Sequence, residues 1–162
     1  MPSPELAPRL MRRYRQTLLA TPERVFPLPC PEREKEWLPG WDARWIYSAS
    51  GLAEAGAVFA TRGGDDGHTA EVIWVVAGHH PPAHVHFVRW HPDEMVVDLQ
   101  LGLQPAGAGA PPGSTWLDIC YTYTALSPVG GARIEAMTEA QWLEQMKFWE
   151  YSLNRWLAAD SS

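Results

Sequence analysis

Between Ala43 and Leu126 the chain reads as six strand-like segments in a row, and after Thr138 it reads as one long amphipathic helix. The segments ARWIYSA (43–49), AGAVFAT (55–61), AEVIWVVA (70–77), HVHFVRW (84–90), VVDLQLGL (96–103) and TWLDICYTYTAL (115–126) are rich in β-branched and aromatic residues. Turn residues separate them: Ser50-Gly51, Gly63-Gly64-Asp65-Asp66-Gly67, Pro81-Pro82 and Pro92-Asp93. No helical pattern interrupts the run, so the short connections require an antiparallel meander. The run PAGAGAPPGS (105–114) joins two adjacent strands and reads as a long hairpin loop, not a domain linker.

The helix announces itself by its spacing. Thr138-Glu139-Ala140-Gln141 is a capping box, and Trp142, Met146, Trp149, Leu153 and Trp156 then recur every three or four residues. Glu139, Glu144, Lys147, Glu150 and Arg155 fall elsewhere on it. Ahead of the meander, MRRYRQTLL reads as a first strand ending near Leu19. Thr21-Pro22-Glu23 opens a short helix that Pro27 and Pro29 terminate, with Thr21 as its cap. Within CPEREKEWLPGW a second short helix is expected from about Glu32 to Leu38, before Pro39-Gly40 turns the chain into the next strand. The order is β-α-α-β6-α, an α+β fold of seven strands read as one domain over residues 1–162. A single amphipathic helix must bury its stripe, and a curved sheet offers the surface for it.

Composition narrows the function classes. A net charge of -6 argues against nucleic acid, whose phosphates require a basic stripe. No apolar run reaches the length of a membrane span, and MPSPELAPRLMRRYRQ lacks the apolar core of a signal peptide, so a cytoplasmic protein is the expectation. Cys30 and Cys120 have no CxxC partner; Cys120 reads as a buried small residue and Cys30 as either that or a reactive thiol. Nine tryptophans and five tyrosines mean either a coarse-grained core or a ring-lined cavity.

CPEREKEWLPGW followed by IYSASGLAEAGAVF, the EVIWVV and FVRW strands and the late helix beginning MTEAQW together resemble the SRPBCC superfamily, from about Tyr14 to Leu157. That superfamily has the helix-grip fold of START lipid-binding domains, bacterial polyketide cyclases and pollen-allergen-like ligand binders. The resemblance implies a long cavity between sheet and C-terminal helix, closed at one end by the two short helices. Trp37 and Trp41 then belong to that closure, as plug or as gate, and the charged residues beside them face water.

Alternation along the strands puts Trp45, Tyr47, Phe59, Trp74 and Phe87 on the face toward the helix stripe of Trp142, Met146, Trp149 and Leu153. Arg89 shares that face, and pairs either with an acid such as Asp118 or Glu71 or with an anionic ligand group. Tyr121 and Tyr123 join it in phase with Leu117 and Ile119. These twelve residues are the expected ligand-binding set, for a hydrophobic or aromatic, lipid- or polyketide-like molecule. Polyketide cyclase or dehydratase-like catalysis through Arg89 and the tyrosines is the enzyme alternative, but no inward carboxylate or histidine completes a catalytic set. A partner-binding module like the chaperone-activator domains of this fold is the third reading, and a homodimer that buries exposed tryptophans is left open.

GHHPPAHVHFVRWH holds five of the six histidines, and Gly78 followed by His84-Val85-His86 reproduces the opening of a cupin metal motif. The glutamate that motif requires is replaced by Trp90 or His91, and His84 and His86 alternate away from the apolar face. No metal and no other cofactor is expected. No nucleophile elbow, phosphate-binding glycine loop, HExxH or dinucleotide fingerprint occurs.

Overall fold

The computed structural model describes residues 6–62 and 71–161, and the Gly63–Gly67 turn lies outside them. The described residues form, in chain order, β1 (Arg9–Leu18), α1 (Pro22–Val25), α2 (Pro31–Trp37), β2 (Ala43–Tyr47), β3 (Val58–Thr61), β4 (Val72–His80), β5 (His84–His91), β6 (Met95–Pro105), β7 (Thr115–Ala125), α3 (Pro128–Ala136) and α4 (Glu139–Asp160). All pairings are antiparallel, in one curved seven-stranded sheet ordered β1-β7-β6-β5-β4-β3-β2. The meander is as expected, and β1 closes it by pairing with the last strand, Arg9 opposite Thr124.

Period-two burial sets the inner face. Along β5 the residues Val85, Phe87, Arg89 and His91 are buried, and along β6 and β7 so are Met95, Val97, Leu99 and Leu101 and Leu117, Ile119, Tyr121 and Tyr123. Against this face lies α4, whose Trp142, Met146, Leu153 and Leu157 are buried. Thr138 caps it as expected, accepting a hydrogen bond from the Gln141 amide at 3.2 Å.

The same helix also covers the outer edge of β1. Glu150 accepts from the Thr17 amide at 2.6 Å, and Asn154 accepts from the Leu19 amide at 2.8 Å while donating to the Thr17 carbonyl at 3.0 Å. Tyr14 donates to the other Glu150 oxygen at 2.8 Å. Edge groups that would otherwise pair with another chain are thus held by helix side chains.

Two local expectations differ from the structure. Thr21 occupies the N-cap of α1 but its side chain makes no capping bond; its carbonyl accepts from Arg24 and Val25 instead. The helix α3, absent from the sequence reading, is capped by Ser127, which accepts from the Gly130 amide at 3.2 Å, with Pro128 at its first turn. Gly130 brings α3 so close to the β5–β6 turn that a Cβ there would lie 1.8 Å from the Glu94 carbonyl oxygen. This contact, with Arg133 on Glu94 at 3.3 Å, seats α3 over one end of the sheet.

Candidate functional site

Sheet and α4 do not close on each other evenly, and two spaces remain. The wide one, about 490 Å³, lies at the end covered by α3 and the start of α4. Its walls are Met95 and Tyr123 from the sheet, Met137 and Trp142 from the helical side, and the polar side chains of Arg89, Arg133, Gln141 and Gln145. The narrow one, about 50 Å³, lies deeper, near α2. Phe59, Trp74 and Phe87 form its sheet wall, Trp149 and Leu153 its α4 wall, and Glu34 and Trp37 of α2, with Trp41 just beyond it, the third.

An aromatic layer divides them. Trp74 stacks on Phe59 with centroids 5.3 Å apart and meets Phe87 edge-on at 6.1 Å. The Arg89 guanidinium sits 5.0 Å from the Trp74 ring, so one side chain of the narrow wall carries a cation of the wide wall. Tyr121, only 2% exposed, stacks on Tyr123 at 5.7 Å and meets both Trp142, at 5.7 Å, and Trp149, at 6.4 Å.

The expected ligand-binding residues therefore separate into groups. Arg89, Tyr123 and Trp142 line the wide cavity, and Phe59, Trp74, Phe87, Trp149 and Leu153 the narrow one. Tyr121 and Met146 are buried in the packing. Trp45 is half-buried, edge-on to Phe59 at 5.6 Å. Tyr47 is the correction in this set: a bulge between Trp45 and Tyr47 shifts the register, pairs Tyr47 with Val58, and leaves it 61% exposed.

Neither acid proposed for Arg89 pairs with it. Asp118 lies on the other face, 2.7 Å from Arg15, and Glu71 binds Arg44. Nor do the charged residues of α2 all face water. Glu34 shares a face with Pro31, Trp37 and Leu38 at helical spacing, and that face is the cavity wall. Burial among those rings pushes its carboxyl up to about 8, so it is protonated at neutral pH. An inward histidine was missed as well: His91, in phase with Arg89, is fully buried, whereas His86 lies on the opposite face, as its alternation indicates, and contacts Asp98 at 2.6 Å. An inward carboxyl and an inward histidine thus both exist, at opposite ends of the sheet–helix interior.

The sequence reading also missed Gln16, fully buried on the narrow wall, although it alternates in phase with Tyr14 and Leu18. Cys30 is buried at the start of α2, and Cys120 is half-buried. Among the described residues no cluster of three or more histidine, cysteine, aspartate or glutamate side chains is placed to hold a metal, and no helix is long and apolar enough to cross a membrane.

No known family's sequence profile matches the chain, and no curated protein matches it by sequence. Solved structures do. A point mutant of norcoclaurine synthase from Thalictrum flavum, in complex with a transition-state analogue, superposes with a TM-score of 0.69 at 11% identity, over 96% of this chain and 98% of that one. The crystal structure of Ara h 8.0201 gives 0.66 at 11% identity, over 93% and 99%. A Rhodobacter sphaeroides protein gives 0.66 at 21% identity, over 97% and 96%. This chain has the helix-grip fold of the SRPBCC proteins.

Proposed function

We propose that this helix-grip protein binds a hydrophobic or aromatic small molecule in the wide cavity between the sheet and α4. The observation that carries the reading is the cavity itself: about 490 Å³ falls within the ~300–1,000 Å³ of small-molecule sites. Met95 and Met137 supply adaptable apolar walls, and Trp142 and Tyr123 supply rings. Arg89 and Arg133, the latter paired with Glu94, add guanidinium donors on one side, which favours a ligand bearing a hydrogen-bond-accepting group. In support, a norcoclaurine synthase of the same fold has been solved with dopamine and hydroxybenzaldehyde, two aromatic molecules.

The test fills the cavity without touching the core. Ala136 lines the wide cavity and is exposed, so Ala136→Trp places a ring in the space a ligand would use. With anilinonaphthalene sulfonate as the probe, fluorescence titration should give saturable 1:1 binding to the native chain, weakened at least tenfold in the variant. Equal binding by both would show that the cavity is not the site.

A further inference from the structure

An antiparallel sheet that buries one face under a helix turns polar residues to water on the other, and this sheet does so only in part. On its outer face the register lines up apolar side chains across four strands. Tyr47 pairs with Val58, Val58 with Val75 and Val75 with Val88, and beside that row Ile73 pairs with Trp90. Tyr47 is 61% exposed, Trp90 47% and Val75 39%, while Val58, Ile73 and Val88 are half-buried. Of the nine tryptophans only Trp90 is exposed. Together these side chains present on the order of 400 Å² of contiguous apolar surface, inside the ~300–600 Å² of the largest patch on a typical monomer, which often serves an interaction.

The flanks of the patch fit a second copy of this chain. Two strands to one side of β4 lies β2, with the exposed Arg44 and the Tyr47 hydroxyl; two strands to the other lies β6, with the Asp98 carboxylate opposite Val88. Within the chain Arg44 holds Glu71, and Asp98 contacts His86 and accepts from Gln100, which leaves N–H groups on the first and lone pairs on the second. In a two-fold interface residue i meets j and j meets i. An axis along β4 sets β2 of each copy against β6 of the other, so donors meet an acceptor twice, and Val75 meets its own counterpart between them. Face-to-face sheets pack about 10 Å apart with strands within about 30°. Two such patches with their polar flanks would bury roughly 1,200 Å², the low end for a specific interface, which makes the association weak and reversible.

We propose that the outer face of the sheet is a self-association surface, on which two copies of this chain pack about a two-fold axis along β4. The chain is monomeric at low micromolar concentration and pairs as concentration rises. The sheet–α4 interior is untouched in both copies, so the dimer does not depend on the function proposed for the wide cavity.

Sedimentation velocity of the full chain from about 5 to about 500 μM tests this, a range that spans weak to moderate protein–protein affinity. The native chain should pass from monomer to dimer. Val75→Glu sets two carboxylates against each other at the axis and should raise the dissociation constant at least tenfold; because the position is exposed, the melting temperature should stay within a few degrees. Arg44→Glu and Asp98→Arg should each weaken the dimer, and the double variant should regain most of the native affinity, a rescue that a loss of folding would not give. A native chain still monomeric at the top of the range would overturn the proposal, and co-sedimentation of that monomer with phosphatidylcholine vesicles, lost in Val75→Glu, would make the face a membrane-docking surface instead. A dimer indifferent to Val75→Glu would place the contact elsewhere, and absence of rescue in the double variant would overturn the axis along β4.

Discussion

Glu34 shows how a single side chain can be legible in type and hidden in placement. The run from Glu32 to Glu36 reads as a solvated charged face, and four of its five members fit that reading. The fifth is set by the helix period counted from Pro31 to Trp37, which no composition argument reveals. Its carboxyl has a measurable signature. The folded chain holds the proton to about pH 8 and the unfolded chain releases it near 4.5, so the folded state binds more protons in between. Stability should therefore fall as pH rises from about 4.5 to about 8, and level off above. Glu34→Gln should remove this slope, melting higher than the native chain at pH 8.5 by on the order of 5 °C, with little difference at pH 4.5. Parallel melting curves across that range would place Glu34 in water. Tyr47 was misread for a different reason: period-two alternation fails at a bulge, and a bulge leaves no mark in ARWIYSA.

At the scale of elements, what was readable had strong local periodicity. The strands and α4 were placed within a few residues because turn chemistry and the aromatic stripe bound them. The helix α3 was not, since Gly130-Gly131 dilutes its helical signal; Ser127-Pro128, a cap followed by a first-turn proline, was the clue available. Those glycines serve packing, not flexibility. Gly130→Ala should push α3 off the Glu94 carbonyl, costing about 1–3 kcal/mol in denaturant unfolding. Because α3 carries Arg133 and Ala136 on the wide cavity, the variant should also weaken anilinonaphthalene sulfonate binding. A variant as stable as the native chain would mean that α3 can shift freely. The two cavities themselves were not separable from sequence, because side-chain packing between Trp74, Arg89 and Tyr121 decides where the interior is filled.

For the whole molecule, the order of elements implied the sheet, but not how its first edge is finished. Glu150 and Asn154 read as ordinary polar positions on α4 until the fold brings them to β1. Replacing both by alanine should expose the Thr17 and Leu19 amides, lower stability by about 2–4 kcal/mol, and promote association through β1, visible by light scattering. Monomeric behaviour with unchanged stability would show that water serves that edge equally well. The pairing of β1 with β7 has a consequence in time as well. Arg9 meets Thr124 only after more than a hundred further residues have been made. At ~5–20 residues per second, the first strand waits on the order of ten seconds at the ribosome before its neighbour exists. The helix that covers its outer edge is made later still.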